Sequence, residues 1–98
     1  MPNEYKPGFK AGTNSFWFTF ENGYTVSIQF GPGTYSDNHD KLRDWQKHMK
    51  ENLHSSNAEV GIWDKDGEWN HPDDWGDDVI GYQTPEQVFE LMKWAKEQ

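Results

Sequence analysis

The chain of 98 residues is long enough for one modest core and too short for two. Six Trp, six Phe and four Tyr supply that core, since each buried ring removes ~150–250 Å² from water and a disordered chain would lack them. Nine Lys plus Arg against seventeen Asp plus Glu leave a charge of −8, which disfavours direct nucleic-acid binding; the lack of cysteine excludes disulfides, thiolate catalysis and Cys-based zinc sites.

Residues 1–13 hold Pro2, Pro7, Gly8 and Gly12, and read as an irregular N-terminal arm without the apolar run of a signal peptide. No apolar stretch is long enough to span a membrane, and the missing cysteines suit a reducing compartment. A cytoplasmic protein is expected.

Residues 15–30 alternate strictly. Phe16, Phe18 and Phe20 share one face of a first strand, and Tyr24, Val26, Ile28 and Phe30 share one face of a second. A two-residue Asn22-Gly23 turn would set Phe20, Phe18 and Phe16 against Thr25, Ser27 and Gln29. A three-residue Glu21-Asn22-Gly23 loop, with Gly23 left-handed, instead pairs Phe20 with Tyr24, Phe18 with Val26 and Phe16 with Ile28. One slip turns a strand over, so the pattern selects the longer loop with its G1 bulge. Phe16, Phe18, Phe20, Tyr24, Val26 and Ile28 are then core residues. Trp17 falls on the polar face beside Ser27, with Thr19 and Thr25.

Gly31-Pro32-Gly33 stops the second strand in a type II turn. Leu42, Trp45, Met49 and Leu53 recur at helical spacing and predict a helix over 37–53, capped by Asn38 or Asp37. Residues 58–70 read as a second hairpin, with Ala58, Val60 and Ile62 on one face. A three-residue loop at Asp66-Gly67 would set Trp63 against Trp69. His71-Pro72-Asp73-Asp74-Trp75-Gly76-Asp77-Asp78 reads as an acidic loop, and 79–82 as a short final strand. The helix at 84–97 is the clearest element, with Thr84 as N-cap, Pro85 at N1 and Gln87 completing a capping box. Its stripe of Val88, Leu91, Met92 and Ala95, flanked by Phe89 and Trp94, should cover the apolar sheet face. The expected fold is therefore α+β. An antiparallel sheet of two hairpins, about four or five strands, packs against the C-terminal helix, with a second helix in the middle connection.

Candidate catalytic chemistry is thin. Asp64-Lys65-Asp66-Gly67 resembles part of an EF-hand loop, but that frame puts Ile62 at the first ligand position and Asp73 at the last, between strands; a hairpin turn accounts for it. His39, His48, His54 and His71 show no i, i+4 pair for a metal. His71 with Asp73 or Asp74 could act as an acid–base pair, though neighbouring polar residues in a loop need no such role. Gly31-Pro32-Gly33-Thr34 lacks the lysine and the N–H donors of a phosphate loop. No enzyme activity, metal or cofactor is expected.

What stands out is a surface. Between residues 64 and 78, seven acids (Asp64, Asp66, Glu68, Asp73, Asp74, Asp77 and Asp78) oppose Lys65 alone, with Trp63, Trp69 and Trp75 interleaved. Solubility plus core tryptophans would explain this plainly. As a site it is a partner-binding patch, because acids steer a basic partner and Trp anchors interfaces. Trp17 on the outer face of the first hairpin is a second exposed aromatic.

The strings FENGYTVSIQFGPGTYSDN, AEVGIWDKDGEW and VIGYQTPEQV resemble small uncharacterised bacteriophage-encoded proteins over about residues 16–96, with a variable middle. The resemblance implies a setting rather than an activity: small accessory proteins that redirect or block host machinery, including defence systems. The leading expectation is a non-enzymatic binder, monomer or homodimer, of a host protein with a basic surface in the host cytoplasm. The alternative is a small-ligand protein that stacks a nucleotide or sugar on exposed aromatics. For its phosphates, Lys41, Arg43 and Lys47 are the clustered cations in the sequence.

Overall fold

Alternating apolar and polar residues build a sheet whose two faces differ in kind. The structure, a computed structural model, describes residues 6–72 and 75–98. Five antiparallel strands follow one another in chain order across one sheet. They are β1 (Gly8–Gly12), β2 (Ser15–Thr19), β3 (Thr25–Gln29), β4 (Ala58–Trp63) and β5 (Val79–Gln83). Between β3 and β4 lie a 3-10 turn, His39–Asp44, and a single helical turn, α1 (Trp45–His48). The long helix α2 (Pro85–Lys96) ends the chain. The fold is α+β.

The first hairpin has the register that its pattern requires. Phe16 lies opposite Ile28, Phe18 opposite Val26 and Trp17 opposite Ser27. The loop is the three-residue form: Phe20 N–H donates to the Tyr24 carbonyl at 2.8 Å, Gly23 N–H to the Phe20 carbonyl at 2.9 Å, and Gly23 has φ +90°. The same bonds recur after β4, where Asp64 N–H meets the Glu68 carbonyl and Gly67 N–H the Asp64 carbonyl, both at 2.9 Å, with Gly67 at φ +80°. This turn sets Trp63 opposite Trp69 as an isolated bridge. The two turns touch. A Cβ on Gly23 would lie 2.5 Å from the Lys65 Cβ.

Phe18, Val26, Ile28, Ala58, Val60 and Ile62 fill one face of the sheet, under Val88 and Ala95 of α2. Each large apolar side chain so buried contributes ~1.5–3 kcal/mol. The helix begins as expected: Gln87 N–H donates to Thr84 Oγ1 at 3.2 Å, and Thr84 N–H to Gln87 Oε1 at 2.9 Å. At its other end Asn22 Nδ2 donates to the Ala95 carbonyl at 2.8 Å, capping the last turn from the first hairpin loop. Tyr24 meets Trp94 edge to face, 6.0 Å between centroids.

Four expectations need correction. The N-terminal arm is not wholly irregular, because residues 8–12 form β1, with Phe9 opposite Phe18 and Ala11 opposite Phe16. An edge strand tolerates the flanking Pro7 and glycines, since only one of its sides is paired. The helix predicted over 37–53 is reduced to a 3-10 turn and one helical turn, with Leu42, Trp45 and Met49 exposed. Its narrow stripe finds no element broad enough to cover it, and short helices are marginal without packing. Residues 68–70 form no second strand of a hairpin; the neighbours of β4 are β3 and β5. Phe16 is 39% exposed rather than core, because α2 packs against β3, β4 and β5 and leaves the β1–β2 end of that face open, where Phe9 is also exposed.

Buried asparagines hold the long excursion between β3 and β4. Asn38 Nδ2 donates to the carbonyls of Phe30 at 2.6 Å and His54 at 3.2 Å. Asn14, left-handed at φ 60°, gives its Nδ2 to the Glu51 carbonyl and accepts from Leu53 N–H, both at 2.7 Å. Gly33, at φ +84° in the type II turn, supports the excursion's first bend, where Thr34 N–H reaches the Gly31 carbonyl at 3.2 Å.

Candidate functional site

The second face of the sheet is left open by α2, and strand alternation decides what it displays. Paired positions form rows. One row runs Lys10, Trp17, Ser27, Gly61 and Val79 across all five strands. The next runs Gly8, Thr19, Thr25 and Trp63, and the isolated bridge adds Trp69. Small residues therefore occupy the middle of the face, and indoles stand at its sides.

Thr25 and Ser27 are buried although they lie on the open face, and Trp17 and Trp63 beside them are half-buried. Trp17 and Trp63 lie diagonally across β3, two strand spacings apart and offset by two residues along the strands, about 12 Å between their backbones. A planar ring touching both indoles needs about 7–8 Å between them. The groove at this place measures about 680 Å³ and is lined by Trp17, Thr19, Thr25, Trp63, the two hairpin turns and residues 6–10. A smaller groove of about 240 Å³ continues beyond Trp63, lined by Ser27, Gln29, Glu59, Gly61, Trp69 and Val79. Trp63 divides the two, and Trp69 meets it edge to face at 5.5 Å.

The floor offers hydrogen bonds. Thr19 and Thr25 hydroxyls lie 2.8 Å apart, so one donates to the other and the acceptor keeps its own proton for a third group. Ser27 Oγ accepts from Gln29 Nε2 at 3.3 Å and likewise keeps its proton. At the mouth stand Lys6, Lys10 and Lys65, with Lys10 Nζ 6.0 Å from the Trp17 ring centroid.

Asp64 lines the same groove, but its carboxylate is engaged in its own turn. Oδ1 accepts from the N–H groups of Asp66 at 2.9 Å and Glu68 at 3.1 Å, and Oδ2 faces Asn70 Nδ2 at 3.5 Å. Its charge is still felt nearby: burial first, and then Asp64, push the Tyr24 phenol above its ordinary value.

Among the described residues, the acidic, Trp-bearing segment does not form one surface. Trp63 and Trp69 turn onto the open sheet face. Trp75 is buried in the core cluster, stacked on His71 at 4.4 Å, which corrects its expected place as a surface anchor. Asp66, Glu68, Asp77 and Asp78 are exposed, while Asp73 and Asp74 lie outside the described residues. Among the described residues no group of three His, Asp or Glu is placed to hold a metal.

Trp17, Trp63, Thr19, Thr25 and Ser27 were each visible as an aromatic or a polar-face residue in the sequence. Their convergence was not, nor was the role of Lys6, Lys10 and Lys65. The Phe9-Lys10-Ala11 alternation carried the missing signal, since it puts Lys10 on the face of Trp17. Lys41, Arg43 and Lys47 line neither groove. Among the described residues no helix is long and apolar enough to cross a membrane. No protein-family model, curated protein or solved structure matches the chain.

Proposed function

We propose that the protein is a non-enzymatic binder of a small ring-bearing ligand, a nucleoside or a sugar, held on the open sheet face between Trp17 and Trp63. The observation that carries this reading is the aromatic-walled groove itself. Its volume of about 680 Å³ suits a small molecule, and its floor of paired hydroxyls can orient a polar edge. Stacking on a Trp face contributes ~1–3 kcal/mol per base. In the phage setting that the sequence strings resemble, such a protein works in the host cytoplasm by sequestering a ligand rather than by turning it over.

The test is a thermal-shift and tryptophan-fluorescence titration against separate panels of nucleosides and of mono- and disaccharides. One panel should raise the melting temperature in a concentration-dependent way and quench indole emission. Trp17→Ala should abolish both effects while melting like the parent without ligand. If no compound in either panel shifts the parent, the reading fails.

A second reading keeps a protein partner. Trp69 is 48% exposed and is flanked in sequence by exposed Asp66 and Glu68, with exposed Asp77 and Asp78 on the same connection. These residues would steer a host protein with a basic surface. Capture of such a partner at low salt and its loss at high salt supports this reading; capture unaffected by Asp66→Asn, Glu68→Gln, Asp77→Asn and Asp78→Asn together removes it.

A further inference from the structure

We infer that the ligand of the Trp17–Trp63 groove carries a phosphate, and that the site takes a mononucleotide; this rests on the ring-binding reading above. Three of the chain's nine Lys and Arg residues, Lys6, Lys10 and Lys65, line one groove in a protein of net charge −8. They come from two places far apart in the sequence, residues 6–10 at the first strand and the turn after β4. Lys6 precedes β1, Lys10 is paired with Trp17 across the β1–β2 ladder, and Lys65 belongs to the turn after β4 that rests on Gly23. Only the fold assembles them.

Like charges gathered at one mouth repel one another, and a phosphate relieves that repulsion. The acid in the lining, Asp64, has its carboxylate bonded to the backbone of its own turn, so it does not compete fully for these ammonium groups. Lysine binds phosphate as a mobile point charge, which suits a groove whose cations stand at its rim. Lys10 Nζ lies 6.0 Å from the centroid of the very indole that would stack the base, so base and phosphate can be engaged close together. The Thr19–Thr25 pair keeps one hydroxyl proton free to donate to the edge of a base.

The same charges argue for one nucleotide rather than a strand. Affinity for a polynucleotide comes from many cation–phosphate contacts, whereas this groove offers three lysines in a chain of net charge −8 whose Asp66, Glu68, Asp77 and Asp78 are exposed.

Calorimetric titration of the intact protein with four groups of probes tests this: adenosine, guanosine, cytidine and uridine; their 5′-monophosphates; inorganic phosphate; and a single-stranded deoxythymidine oligonucleotide. At least one monophosphate should bind about tenfold or more tighter than its nucleoside. That advantage should shrink with added salt and vanish in Lys10→Gln with Lys65→Gln, while Lys10→Arg retains it. The thermal melts of the variants without ligand should match the parent. A nucleoside binding as well as its monophosphate overturns the phosphate inference and leaves the ring-binding reading intact. Tighter binding of the oligonucleotide per site overturns the choice of a mononucleotide. Binding by inorganic phosphate alone, with no gain from the base, overturns the inference, as does binding by none of the probes; the ring-binding reading then stands or falls on the saccharide panel.

Discussion

The edge of the Trp69 indole lies so close to Gly61 that a Cβ built there would come within 2.9 Å of Trp69 Cζ3. The glycine is what lets the small groove exist beside Trp63, because any side chain at this central row would stand where the indole edge stands. Gly61 is not left-handed, so its role is space and not backbone freedom.

Gly61→Ala should therefore push the Trp69 ring outward without unfolding the sheet. The obstructing atom is the edge of an exposed indole, which can move, so the cost should stay near the lower end of ~1–3 kcal/mol. Tryptophan emission should shift toward that of solvent-exposed indole, and ligand affinity in the Trp17–Trp63 groove should change through Trp63. An unchanged emission spectrum would show that Trp69 does not rest on Gly61.

Gly23→Ala combines two faults. The position has φ +90°, and its new Cβ would meet the Lys65 Cβ at 2.5 Å. We expect a loss of about 1–3 kcal/mol in urea unfolding. Lys65→Gly in the same chain should recover the steric part and leave the backbone strain, so a double-mutant cycle should give a favourable coupling. Additive losses would mean that the two turns do not touch in solution.

Asn38→Ala removes the donor shared by the Phe30 and His54 carbonyls inside a buried site. Leaving such groups unpaired costs about 1–3 kcal/mol. Amide exchange should quicken across residues 31–57 and much less in β2 and β3. Equal acceleration everywhere would show that the excursion is not a separable unit.

Asp37 ties the same excursion from outside. Its carboxylate accepts from the Ser56 hydroxyl and N–H and from Asn57 Nδ2, and the Ser56 bonds above all hold it below its ordinary value of 3.8. A depressed carboxyl stabilises the fold above the unfolded value, and this stability is lost as pH falls through the folded value. The contribution should be intact at neutral pH and fade only below about pH 3.8. Asp37→Asn should flatten that acid limb of the urea midpoint. A limb of unchanged steepness would place the acid sensitivity elsewhere.

Much of the architecture was legible where local chemistry and pattern agree. Phe16, Phe18, Val26 and Ile28 forced one register, and Thr84, Pro85 and Gln87 forced one helix start. Legibility failed where a tertiary partner decides. Leu42, Trp45 and Met49 have helical spacing but nothing broad to pack on, and Phe9 looked like part of an arm until β2 gave it an edge. For the candidate site, Trp17 showed itself through period-2 alternation alone. The lysines did not, because Lys10 and Lys65 become neighbours of one groove only through the order of strands. Trp75 misled for a related reason: a Trp between acids reads the same whether its ring turns out or in.

The order of the strands has a kinetic side. Three of the four ladders join strands separated by short turns or by one loop, but β3 and β4 are separated by residues 30–57. Closing that span costs chain entropy before any β4 contact forms. The β1–β2–β3 meander can form locally, whereas docking of Val60 and Ile62 beside Val26 and Ile28 commits the chain to its core. Substitutions in β4 should slow folding, and those in β1 should mainly speed unfolding, in chevron measurements. The groove, which needs Trp17 from one side of that closure and Trp63 from the other, would then come into being only at the committing step.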